Sequence, residues 1–223
     1  MEAFEALYRE LAQCRRCPRL VAWREEVGRK KRRAYLQEEY WARPVPGFGD
    51  PKARILIFGL APGAHGSNRT GRMFTGDASG NFLYPALWRA GLANQPLAKS
   101  RDDGLELRGV YITAAVRCVP PGNKPTREEF ATCSVWTERE LALLPQLQVY
   151  LALGKLAHDA LLEHQGLVRF RYRFGHGAEH QLPNGIVLLD SYHVSRQNTQ
   201  TGRLTEEMFD AVLARAVELA GLR

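Results

Sequence analysis

Chemistry in this 223-residue sequence concentrates in four cysteines and two long polar loops. Cys14 and Cys17 form a CxxC pair, and Cys118 and Cys133 are the other two cysteines. A CxxC at a helix end brings two thiolates onto one site, and four thiolates suit either a tetrahedral zinc or an iron–sulfur cube. Spacing alone leaves both open. Cysteines used this way in an intracellular chain point to metal or redox chemistry rather than disulfides. Four protein ligands leave no open position for substrate, so the expected role is structural. Such a site would tie an N-terminal segment, about residues 1–45, to the region 118–133 of one domain spanning 1–223.

The first loop runs from Gly59 to Gly80 and is rich in glycine, which lets backbone N–H groups approach a ligand closely. It matches neither GxGxxG nor GxxxxGK[ST], so a nucleotide-cofactor loop has no support. Phe74 stands among small and polar neighbours, where an aromatic ring is placed to stack on a planar base. The second loop, 191–205, carries His193, Ser195, Arg196, Asn198 and Arg203. A histidine just past a strand end can donate to a developing anion or take a proton.

Both loops need a scaffold that aims them at one point. Continuous apolar runs at 54–59, 110–116, 149–153 and 186–189 are the pattern of strands buried on both faces. Helical stretches separate them, at about 80–92, 126–144, 154–165 and 204–220, and Phe4, Leu7 and Leu11 mark an amphipathic first helix. Residues 20–42 also read as helical and hold the basic run 29–33. Alternating strands and helices predict a three-layer α/β/α domain around a parallel sheet. Ligands in such sheets sit beyond the carboxyl ends of the strands, where both loops emerge. Residues 169–174 alternate arginine with aromatic rings, as in an edge strand with one basic face.

The charge balance points to a polyanionic partner: 31 Lys+Arg oppose 24 Asp+Glu, for a net charge of +7. Only six of those cations are lysine, and the arginine excess suits bidentate contact with phosphate. No apolar run reaches membrane-spanning length. The N-terminus interleaves Glu2, Glu5 and Glu10 with apolar residues, a helix pattern and not a signal peptide. An intracellular, cytoplasmic location and a monomeric state are expected.

The stretch GLAPGAHGSNRTGRMFTGD at 59–77, the stretch HVSRQNTQTG at 193–202 and the four cysteines together resemble the family 5 uracil-DNA glycosylases, the UDGb group. The likeness runs from about Cys14 to Gly202, and the segment 117–125 after the strand at 110–116 is similar across the wider superfamily. The resemblance implies a four-stranded parallel sheet between helices, and a 4Fe–4S cluster rather than zinc on Cys14, Cys17, Cys118 and Cys133. It also implies a repair enzyme that takes deaminated bases out of DNA. Better-known families carry GEAPG or GQDPY in the first stretch, with a carboxylate or carboxamide. Here Leu60 and Ala61 occupy those places and cannot activate water. The strand at 113–115 reads Thr-Ala-Ala and lacks the usual Asn that reads the base. Both departures fit family 5.

The roles must then fall elsewhere. His193 is expected to meet charge developing on the departing base, and Asp77 to position water or stabilise the sugar cation, with Asn123 as the alternative. Asp77 also suits the cap of the helix at Gly80. Gly59, Leu60, Ala61, Ala64, His65, Phe74 and Ala114 are expected to line the base site. Asn68, Arg69, Ser195, Arg196, Asn198 and Arg203 are expected to contact DNA. Without a polar reader, hypoxanthine and other deaminated bases are expected substrates beside uracil. Neither loop holds a lysine, so no Schiff-base strand-nicking step is expected. A non-catalytic nucleic-acid-binding module with a structural metal, and a hydrolase of small nucleosides, are the competing classes. The strand-end loops argue against the first and the arginine excess against the second.

Overall fold

A computed structural model describes residues 2–222. In chain order the elements are α1 (Glu2–Ala12), α2 (Pro18–Lys30), β1 (Phe48–Gly49), β2 (Ile55–Gly59), α3 (Ser67–Thr70), α4 (Gly80–Arg89), β3 (Val110–Ala114), α5 (Arg127–Leu141), β4 (Val149–Leu153), α6 (Lys155–His164), β5 (Glu179–Gln181), β6 (Val187–Ser191), α7 (Arg196–Gln200) and α8 (Glu206–Leu219).

The sheet has six strands in the order β1-β3-β2-β4-β6-β5. The inner four, β3-β2-β4-β6, are parallel, and the outer two pair antiparallel. The expected α/β/α layering with four parallel strands is present. The two edge strands extend it; at two and three residues they are too short to leave a periodic signal.

The central strands are buried along their whole length, and successive side chains enter different cores. Ile55, Ile57, Val110, Ile112, Val149 and Leu151 pack with α4 and α8. Leu56, Phe58, Tyr111, Tyr150 and Leu188 pack with α1 and α6. This is the two-residue period of a strand with helices on both faces. A third cluster joins Leu7, Leu11 and Leu20 to Val116, Cys118, Cys133 and Trp136, so the N-terminal helices dock where the cysteines lie.

Two expectations need correction. The helix expected over 20–42 stops at Lys30: Lys31 has φ +51° and donates its N–H to the Val27 carbonyl. A run of five adjacent cations repels itself along a helix, and the chain continues as a short 3₁₀ turn, Arg33–Tyr35, and loop. Residues 169–174 form no strand either. Arg169–Arg171 is a 3₁₀ turn, Phe170 is 76% exposed, and Tyr172 and Phe174 turn back to His158 and His180. The alternation therefore does not sort cations and rings onto opposite faces. Among the described residues no helix is long and apolar enough to cross a membrane.

Candidate active site

Both polar loops leave the carboxyl end of the sheet, the first from β2 and the second from β6. Phe74 sits at the crossing. Its backbone is left-handed at φ +51°, a conformation costly for a bulky residue, on the order of 1–3 kcal/mol. The Phe74 N–H donates to Ser67 Oγ at 3.0 Å, and the Tyr84 hydroxyl donates to the Met73 carbonyl at 2.6 Å, which hold the turn. The ring packs against Gly59; a Cβ there would lie 3.0 Å from Phe74 Cζ. Its centroid is 6.4 Å from that of His193, with the planes tilted by 39°.

Asp77 closes the first loop on itself. Oδ1 accepts the Gly80 N–H at 3.0 Å, capping the start of α4. Oδ2 lies against Gly63 and Gly66, and a side chain at Gly66 would collide with the carboxylate. Burial raises the Asp77 pKa, a shift opposed by N–H groups of Gly80 and Ser79 and by the charge of Arg69. A carboxylate in that setting is a stronger base than one in water.

His193 follows β6 after one residue, Tyr192. Its Cβ rests on Gly154 at the end of β4, where φ is +92° and a side chain would crowd the histidine at 3.0 Å. Asn198 Nδ2 donates to the His193 carbonyl at 2.8 Å, and Ser195 caps α7 by accepting the Asn198 N–H. Burial lowers the His193 pKa, so the imidazole is neutral near pH 7 and offers one N–H. Neighbouring Tyr192 stacks on His176 at 4.9 Å and carries Arg203 over its ring at 4.8 Å. Arg196 and Arg203 are exposed.

The remaining expected residues divide. Gly59, Leu60, Ala61 and Ala64 lie on the first loop, where Gly59 packs against Phe74 and Ala61 packs toward the cysteine region. Ala114 ends β3 and is buried in the core beside the Phe74 side of the sheet. Asn123 is exposed at φ +57° in the turn Pro121–Asn123, beyond β3. His65 Nδ1 bonds the Tyr40 hydroxyl at 2.9 Å, and burial, then Arg32 and Arg69, lower its pKa; the ring is committed to the loop frame.

Asn68 and Arg69, expected to contact DNA, are instead buried and bonded within the protein. Asn68 is fully buried and donates to the Arg24 carbonyl at 3.3 Å. Arg69 is buried, donates to the carbonyls of His65 (2.7 Å) and Gly76 (2.9 Å), pairs with Glu38 and lies 3.9 Å from the Tyr35 ring centroid. A guanidinium with its donors already used is a clasp, and a sequence of alternating polar residues cannot tell a clasp from a phosphate contact. Sequence reasoning also missed Ser67, Gly154, His176 and Tyr192. Only Gly154, between a strand and a helix, carried a signal.

The four cysteines line one partly open cavity with Leu11, Leu20, Arg24, Arg117 and Trp136. Cys118 and Cys133 are buried, Cys14 and Cys17 partly so, and all are free thiols. Burial pushes the Cys118 thiol up to about 11 and the Cys133 thiol up to about 12. Among the described residues the donors do not gather tightly enough to form a site for a single metal ion. Beside the cavity, Arg117 and Glu140 form a fully buried two-point pair at 3.0 and 2.6 Å. Thr113 and Tyr111 also donate to Glu140, so the Thr113 hydroxyl is spent inside the sheet. A separate groove of about 470 Å³ lies between α5 and α6, away from both loops.

Residues 46–216 match the family model described as the uracil DNA glycosylase superfamily. A type-5 uracil-DNA glycosylase of Thermus thermophilus is 66% identical over 98% of this chain and 99% of its own. A type-5 enzyme of Mycobacterium leprae is 52% identical, covering 96% of this chain and 94% of the relative. One from Pyrobaculum aerophilum is 48% identical, covering 98% and 94%.

Proposed function

The chain belongs to the uracil-DNA glycosylase superfamily and to its type-5 branch, and from that premise we propose how its two motif loops act on a nucleotide flipped out of DNA. The enzyme hydrolyses the N-glycosidic bond of uracil in DNA. The observation that carries the mechanism is the meeting of Phe74 and His193 at 6.4 Å, each from a different loop and a different strand.

The flipped base stacks on Phe74. As the bond from C1′ to the base stretches, negative charge grows on the base and the sugar becomes oxocarbenium-like. A neutral His193 donates a hydrogen bond to the departing base, in a site that holds the donor before the charge appears. The half-buried Asp77 carboxylate stabilises the sugar cation and orients the attacking water. Asn123, exposed in the turn after β3, is the alternative for that role. Arg196 and Arg203, with Ser195 and Asn198 shaping their turn, contact the phosphates.

Substrate range depends on the side chains this site lacks. Leu60, Ala61 and Ala114 have no hydrogen-bonding side chain, and the Thr113 hydroxyl is held by Glu140. A site without a polar reader discriminates weakly among bases, so hypoxanthine and related deaminated bases leave as well as uracil. Neither loop supplies an amine, which supports a monofunctional reaction ending at an abasic site.

The cysteine cavity fits a 4Fe–4S cluster: four thiols share one pocket, screened by Leu11, Leu20 and Trp136. Cys14, Cys17, Cys118 and Cys133 would hold it. When bound, the cluster supplies thiolate cross-links that fix the N-terminal helices to the segment 118–133.

Base release from duplex oligonucleotides, each with one modified base, tests this reading. Uracil and hypoxanthine are expected to leave, without strand breaks before alkali. Failure to release hypoxanthine confines the enzyme to uracil. A covalent adduct trapped by borohydride overturns the monofunctional reaction. Stoichiometric zinc in place of iron and sulfide overturns the cluster.

A further inference from the structure

We propose that Arg24 is the buried counter-charge of the cysteine-bound cluster and sets its reduction potential. The inference rests on the cluster assigned above. Arg24 is on α2, 2% exposed, and lines the cavity that holds all four cysteines. Its Nη1 donates to Cys118 Sγ at 2.9 Å and its Nη2 to the Cys14 carbonyl at 3.1 Å, while Nε has no partner. No carboxylate forms an ion pair with it among the described residues.

Burying a guanidinium without an anion is very costly. The other buried cation at the cavity does not share this predicament. Arg117 is equally buried, yet Glu140 neutralises it through two hydrogen bonds. The anion that balances Arg24 must therefore come from the thiolates themselves. Neutral thiols would leave the charge stranded, whereas an anionic cluster accounts for it.

The consequence is electronic. Cys118 receives a hydrogen bond from a full positive charge, while Cys133 receives only the Arg117 backbone N–H at 3.3 Å. Each electron added to the cluster makes it more negative, so a fixed cation beside it favours the reduced form. Hydrogen bonds to the sulfurs and local charge are among the features that tune such potentials. Nothing in either DNA-facing loop requires this arginine to be charged.

Protein purified without oxygen, with its iron and sulfide measured, would be studied by film voltammetry and by iron loss to a chelator. R24M is expected to move the potential negative by about 59 mV or more, a tenfold change in a one-electron equilibrium, and to release iron faster. R24K keeps the charge and is expected to shift less. If R24M does not accumulate as folded protein, R24Q serves as the neutral variant. A cluster lost from the neutral variant but kept in R24K supports the proposal. Equal potentials and iron loss in wild type and neutral variant overturn it, as does equal cluster loss from neutral and lysine variants. A wild type without iron and sulfide overturns the cluster assignment itself, and this inference with it.

Discussion

The loop after β2 and the loop after β6 meet at one point but are held in opposite ways. The first is bolted from inside. Arg69 binds two of its carbonyls, Arg72 forms a two-point pair with Asp103 at 2.8 Å each, and Asp77 fills the space left by Gly63 and Gly66. The second is tied at its stem by Asn198 and by the stacking of Tyr192 on His176, while its arginines project into solvent. The contrast teaches a division of labour. Groups that must match a transition state are fixed before substrate arrives. Groups that must track a phosphate backbone keep their freedom.

The largest expected effect tests whether both loops contribute to one chemical step. His193→Ala should slow single-turnover uracil release by about 100-fold or more, as removal of a preorganised donor does elsewhere. Asp77→Ala should also slow it strongly. A loss below about tenfold in either, roughly 1.4 kcal/mol, removes that residue from the mechanism.

Next comes the clasp. Arg69→Ala leaves two inner carbonyls without their charged donor and should cost about 3 kcal/mol, or a fall of about 6–12 °C in Tm. Arg203→Ala, on the other loop, should stay within about 0.5 kcal/mol of wild type. Equal thermal shifts would erase the distinction between the loops.

Acid should loosen the first loop through Asp103. Burial alone would raise its pKa, but Arg72 and the N–H groups of Lys99, Leu105 and Ser100 hold it down at about 2. A carboxylate with a depressed folded pKa stabilises fully above its unfolded pKa, ordinarily 3.8, and loses that contribution as pH falls toward about 2. The contribution is on the order of 2 kcal/mol. Denaturant titrations of wild type and Asp103→Asn should converge over that window, and parallel curves would refute the assignment.

The smallest effect belongs to the exposed arginines. Arg196→Ala and Arg203→Ala should each lower the salt slope of DNA binding by about one unit. An unchanged slope means neither touches phosphate.

Much of this was legible in the sequence because it rests on local pattern. Four apolar runs separated by amphipathic stretches name a parallel sheet with helices on both sides, since only strands buried on both faces need such runs. The two loops stood out by glycine and polar content, and the CxxC pair by spacing. Other features were not legible because they depend on distant partners. Arg69 and Arg203 are the same residue type in similar loops, yet one is buried against Tyr35 and Glu38 and the other rests on Tyr192 in solvent. The strand expected at 169–174 failed because His158 and His180 draw Tyr172 and Phe174 inward, a contact no short window contains.

The sequence by itself determined the layered sheet, the two reactive loops and the four thiols, because hydrophobic period and residue chemistry are local properties. Tertiary structure alone decided which arginine is a clasp, which is free and which, Arg24, is buried without a carboxylate. Those distinctions depend on burial and on partners tens of residues away.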